Sequence, residues 1–227
     1  MPRRSIGDIR REQLSQAAFD ALVEHGIRGA TLEKVAKRAG VSKGVVLHHF
    51  KDKDALFEAV MRKSNAVLRD GVLELFRHAE TPFERLYAVV VGNFAEHIFQ
   101  KEICNGWISL CADVPYNLQS QRIQNVIHAR IHSNLASALR HIVPPDDKDK
   151  IAFQLTTVID GVWIRASLQA QAMSCKEGID YVDVVLHHLV DPKKVHSDQL
   201  HQARAKMEVL ANVILTSNAF QAKAIRA

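Results

Sequence analysis

Nowhere in the 227 residues does an apolar run approach the ~20 residues that a membrane-spanning helix requires, which excludes a helical membrane protein. The basic start, Met1 to Arg11, lacks the apolar core of an export signal, so the expected location is the cytoplasm. Three cysteines (Cys104, Cys111, Cys175) are too few and odd in number for a disulfide framework. Cys104 and Cys111 stand seven apart on one helical face, where they either pack in a core or form a redox pair. No phosphate-binding loop, dinucleotide fingerprint, nucleophile elbow or metalloprotease motif occurs, and no Ser/His/Asp set stands out by spacing, so neither an enzyme nor a cofactor is expected. What is present is a chain 47% hydrophobic and 24% charged, with few aromatics, glycines and prolines, the profile of a globular helical protein.

The charge is uneven. Residues 1–53 carry 11 Lys and Arg against six acids, and so hold the whole formal +5, leaving 19 basic and 19 acidic residues in the remainder. A basic head on a neutral body suits phosphate neutralisation, although a solvated basic face would look the same.

Apolar spacing predicts a first helix over about Asp8 to His25, ended by Gly26. Thr31 is placed to cap a short second helix, Gly40 to break it, and Ser42 to cap a third through His49. A long helix is expected from Asp52 to His78. Thr81-Pro82-Phe83-Glu84 then reads as a capping box that opens a helix to about Gln100. Helical matter around Trp107 is interrupted at Pro115, and long helices follow over Asn117 to Ile142 and Lys148 to Met173, separated by a Pro144-Pro145-Asp146 loop. A body helix after Gly178 runs to Val190, and no period-2 strand appears. In the tail, Leu200, Ala203, Met207, Leu210 and Ile214 form a heptad-like seam on one amphipathic helix, either packed on the body or part of a disordered tail.

Ala36, Gly40 and Val46 fill the roles of a helix-turn-helix: a small residue where two helices touch, a permissive turn, and an aliphatic residue on the second helix's buried face. That second helix would expose Lys43, Val45, Leu47 and His48 toward base edges. The run Ala30-Thr31-Leu32-Glu33-Lys34-Val35-Ala36-Lys37-Arg38-Ala39-Gly40-Val41-Ser42-Lys43-Gly44, then His49-Phe50 and Lys53, closely resembles the signature of the TetR family of bacterial regulators. The resemblance implies a homodimer whose heads bind a palindromic double-stranded operator and whose helical bodies hold an inducer. It also implies phosphate-contacting or orienting roles for Thr31, Ser42, Lys43, His49 and Lys53, with Lys43, Gly44, Val45 and His48 facing bases. At Leu47 the family usually has a Tyr whose hydroxyl meets a phosphate.

The body resembles the choline-responsive repressors of glycine betaine synthesis (BetI type) at Trp107 through Pro115 and Leu118, at Ser133-Asn134-Leu135 with Leu139-Arg140, and at Ile159 through Arg165. Cys111 stands where that branch often has a second Trp. The expected architecture is all-α: a helix-turn-helix head (1–52), a larger helical-bundle body for ligand binding and dimerisation (53–191), and a tail with an additional helix (192–227). For a quaternary ammonium inducer, Trp107, Tyr116 and Trp163 would offer aromatic faces, and Asp160, Glu96 or Asp113 negative charge. The tryptophans equally suit a core, with Asp160 paired to a basic neighbour such as Arg165. A lipophilic or cationic compound sensed by a regulator of an efflux or catabolic operon is the competing reading. His128 and His132, at i,i+4, suggest a metal site only if a third ligand joins them, and none is expected. Dimerisation is expected through the helices around Ile151 to Leu168 and Ile179 to Val190.

Overall fold

The computed structural model describes residues 5–191, 193, 195–217 and 220, and among these no strand occurs. The described residues form ten α-helices: α1 (Ile6–Gly29), α2 (Leu32–Arg38), α3 (Lys43–His49), α4 (Lys53–Phe76), α5 (Pro82–Asn93), α6 (Lys101–Cys111), α7 (Leu118–Leu139), α8 (Lys148–Leu168), α9 (Cys175–Val190) and α10 (Ser197–Ile214), with a 3-10 turn at Val114–Tyr116. The chain divides into two compact units, Met1–Asn65 with Asn105–Gln124, and Ala66–Cys104 with Asn125–Ala227.

In the first unit α1 packs on α2 and α3, and α2 on α3. A Ser5–Asp8 capping box starts α1 at Ile6, two residues before the expected Asp8. Gly26 does break the helix, at φ 66°, but one further turn runs on to Gly29. The three helices close on Leu14, Ala18, Leu22, Val35, Ala36, Val46 and Phe50, all buried. Lys63 pairs with Glu12 at 3.3 Å, tying α4 to α1 in a partly shielded position.

In the second unit α5 is the centre. Leu86-Tyr87-Ala88-Val89-Val90-Val91 are all buried, so this helix is apolar all round and needs neighbours on every side. It has α9 on one flank and α10 on another, while α8 packs on α9. The helix stops at Asn93 rather than running to Gln100. Asn93 turns its amide back to the Val89 carbonyl at 2.8 Å, and the Trp163 indole N–H takes the Asn93 carbonyl at 3.1 Å, an acceptor the next turn would otherwise use. At the start of α5, Thr81 accepts from the Glu84 N–H at 3.1 Å, but the Glu84 carboxylate reaches past the cap to the Glu80 N–H at 2.7 Å, so the expected box is only half formed.

Helix α8 ends at Leu168, five residues short of expectation, because Gln169 turns extended and Ser174 opens α9 with a full capping box to Glu177. Gly178 therefore lies inside α9, and a Cβ there would stand 2.7 Å from the Phe94 ring. In the tail, the buried stripe is Leu200, Ala203, Met207, Ala211 and Leu215, while Leu210 and Ile214 are half-buried. A straight 3.6-residue helix drifts off a 3.5-residue seam, so the stripe moves one position along after Met207. Pro192, Lys194 and the last residues of the tail lie outside the described residues, as do Arg3 and Arg4 of the head.

Candidate nucleic-acid interface and body cavity

Each helix of the head's helix-turn-helix is capped by the hydroxyl the spacing marked. Thr31 accepts from the Lys34 N–H at 3.3 Å and Ser42 from the Val45 N–H at 3.4 Å. Between them Gly40 sits at φ 66°, a conformation costing an L residue about 1–2 kcal/mol. Val46 turns into the core, which leaves Lys43, Gly44, Leu47 and His48 exposed and Val45 and His49 half-exposed on α3. Lys43, Gly44, Val45, Leu47 and His48, the residues singled out as facing base edges, thus share one short helix with His49, expected to contact phosphate or orient the head.

The charges on this face are already organised. Lys43 Nζ pairs with Glu33 Oε1 at 2.5 Å, both side chains well exposed, and this hydrogen bond is the main cause of a Glu33 carboxyl held below its usual value. Such an exposed pair is weak and easily traded for a phosphate. Lys53 donates to the Ile27 carbonyl at 2.6 Å and lies 5.5 Å from the Phe57 ring centre, so its stem braces the end of α1. Arg11, absent from the sequence-based selection, donates to the His49 carbonyl and lays its guanidinium 4.2 Å over the Phe50 ring. Burial lowers the His49 pKa, with His48, Arg11 and Arg10 adding repulsion. No spacing rule connects Arg11 to His49, 38 residues away; only the packing of α1 on α3 does.

The proposed ligand residues divide between the two units. Trp107, Asp113 and Tyr116 belong to the first unit, and Tyr116 is 89% exposed and encloses nothing. Trp163, Asp160 and Glu96 belong to the second. Trp163 is buried, edge-on to Phe99 at 5.5 Å, with its N–H spent on Asn93. Asp160 pairs with His128 at 3.2 Å rather than with Arg165, and this hydrogen bond raises the His128 pKa. His132 lies 3.2 Å from the Asp149 carbonyl, so both histidines of the i,i+4 pair face acidic residues of α8. Among the described residues no three of His, Cys, Asp and Glu group as a metal would need.

A cavity of about 620 Å³ opens in the second unit between the 94–100 turn, the start of α9, and α10. Its lining includes Phe94, Glu96, Phe99, Met173, Cys175 and Leu215. Of the residues proposed for ligand binding, Glu96 alone lines it.

Residues 14–60 match the model described as bacterial regulatory proteins, tetR family, and residues 82–191 match the BetI-type transcriptional repressor C-terminal model. The HTH-type transcriptional regulator BetI of Klebsiella pneumoniae is 37% identical over 176 residues, covering 76% of this chain and 90% of that protein. Its namesake from Escherichia coli is 36% identical over the same shares. Among solved structures, a transcriptional regulator from Rhodococcus sp. Rha1 superposes with a TM-score of 0.72 at 24% identity, over 80% of this chain and 96% of its own. One from Pseudomonas aeruginosa PAO1 gives 0.67 at 21%, over 87% and 96%. The chain belongs to the TetR family of DNA-binding transcriptional regulators. Within it, the chain is a repressor of the BetI type, and its relatives are regulators rather than enzymes.

Proposed function

We propose that the protein is a cytoplasmic, ligand-responsive repressor that binds a palindromic operator as a homodimer and is released by a small-molecule inducer, choline or a related quaternary ammonium compound of glycine betaine metabolism. The observation that carries the DNA-binding part is the exposed face of α3, Lys43, Gly44, Leu47 and His48, held on a helix capped at Ser42 and anchored by buried Val46. Thr31, Ser42, His49 and Lys53 then orient the head or meet phosphates, while Lys43, Gly44, Val45 and His48 meet bases.

The dimer reading is supported by an exposed apolar stripe on α8, Phe153, Ile164 and Leu168, beside Tyr181 and Val184 of α9. Gly161 lies on the same stripe with nothing within 4 Å of where a Cβ would stand, so a second helix can approach closely. Five large apolar side chains on two adjacent helices exceed the scattered exposure normal for a monomer. The quaternary ammonium reading is supported by the BetI-type relatives' similarity across the body. The alternative, an efflux or catabolic regulator sensing a lipophilic or cationic compound, is favoured by one observation: the cavity of about 620 Å³ is spacious for so small a cation as choline.

A gel shift with DNA from upstream of the chain's own coding sequence tests the proposal. The expected result is a dyad-symmetric site bound with steep salt dependence and released by choline. Binding indifferent to sequence would overturn the operator reading, and an operator complex indifferent to choline would leave the alternative inducer class.

A further inference from the structure

The cavity in the second unit is walled on one side by α10, which begins after the last residue matched to the BetI-type model. It is therefore not a feature of the shared segment alone. Its floor is apolar, with Phe94, Phe99, Ile179, Met173 and Leu215 all buried. Its charged rim is mostly neutralised within the protein: Lys176 bonds Asp180 at 2.7 Å, and Glu208 bonds Arg204 at 2.8 Å. Glu96 differs. Among the described residues it has no ion pair, and it lies close enough to Cys175 to add to the upward push that burial gives that thiol.

A carboxylate at the edge of an apolar concavity attracts cations more strongly than one in open water, because water screens it on one side only and the apolar wall leaves the other unscreened. A volume of about 620 Å³ falls in the usual range of small-molecule sites and has room for an apolar group beyond an ammonium head. We propose that this cavity binds an organic cation bearing an apolar body, with Glu96 as its counter-ion, the Phe94, Phe99 and Met173 floor taking the body, and α10 forming one wall. That occupancy is read out at an operator rests on the repressor reading above; the binding itself does not.

Isothermal titration of the full-length protein tests the site, with benzyltrimethylammonium as probe and benzyl alcohol and phenylacetate as its neutral and anionic counterparts. The cation should bind saturably and more tightly than either counterpart. Glu96→Gln should weaken it about tenfold or more, and Thr216→Trp, an exposed rim position, should block it, both variants keeping the wild-type melting temperature. Cation binding unchanged in both variants, equal binding of phenylacetate, or no saturable binding would overturn the proposal. Fluorescence anisotropy on operator DNA separates the two readings: a protein that binds the cation but no operator keeps the site and loses the repressor, and one that binds operator but not the cation does the reverse.

Discussion

Leu47 is 41% exposed on α3, so the surface proposed to meet DNA offers no hydroxyl at that position. Leu47→Tyr should tighten binding to all DNA alike by about 1.5–3 kcal/mol, the worth of one hydrogen bond to a charged group, with operator preference unchanged in anisotropy titrations. Asp160 and His128 give a second residue-scale expectation. A raised histidine pKa adds stability below the unfolded value of about 6.5, and this is lost as pH rises through the folded value. The melting-temperature advantage of wild type over Asp160→Asn should therefore be widest below about pH 6.5 and shrink as pH rises through the folded value; a gap constant with pH would contradict the pairing. Residues whose role is set by immediate neighbours were legible in the sequence: Thr31, Gly40, Ser42 and Val46 all do what their spacing implied. Asp160 was not, because its partner sits on α7, 32 residues away, and nothing local distinguishes His128 from Arg165.

At the scale of elements, α10 is held to the body by charge as well as by its apolar stripe. Arg204 reaches Asp180, Asp183 at 2.9 Å and Glu208 at 2.8 Å, while the Tyr87 hydroxyl of α5 donates to Asp183, so one half-buried cation joins α10, α9 and α5. Burial and the Asp183 bond push the Tyr87 pKa well above its usual value. Lys206 adds Glu80 and Glu84, each at 2.9 Å. Asp191, at the end of α9, caps the turn into α10 through the N–H groups of Val195 and His196 and the Ser197 hydroxyl; burial pushes its carboxyl up, but these bonds prevail and hold it below the usual range. Arg204→Ala should cost about 1–3 kcal/mol by leaving the part-buried Asp183 without its cation and with the Tyr87 hydroxyl as a donor, measured by chemical denaturation. Truncation after Asp191 should lower thermal stability further, since Leu200, Met207 and Leu215 are each worth about 1.5–3 kcal/mol when buried; an unchanged melting temperature would show α10 dispensable. The tail's helix was legible from its apolar period, and the start of α5 from Thr81 and Pro82. The ends of α5 and α8 were not legible, because Asn93–Trp163 and Ser174–Glu177 decide them, one pair 70 residues apart and the other a box hidden by the more conspicuous Gly178.

At the scale of the molecule, the proposed dimer needs two heads held together, and the exposed Phe153, Ile164, Leu168, Tyr181 and Val184 form the face that would pair them. Gly161→Arg, placed where a second helix must approach, should convert a dimer to a monomer by light scattering at micromolar concentration without lowering helical content. A wild-type monomer would contradict this. An all-α fold with a helix-turn-helix head was readable from composition, periodicity and the Ala30–Gly44 run, whereas the cavity was not: its lining comes from three separate stretches that only folding brings together. The central claim, that α3 reads DNA sequence, is tested most directly by anisotropy titrations of wild type, Lys43→Ala and His48→Ala on an operator duplex and a scrambled duplex in moderate salt. Each variant should lose about 1–3 kcal/mol on the operator and far less on the scrambled duplex, with the fold intact by circular dichroism. Variants that bind the operator at wild-type affinity would mean that α3 is not the reading element.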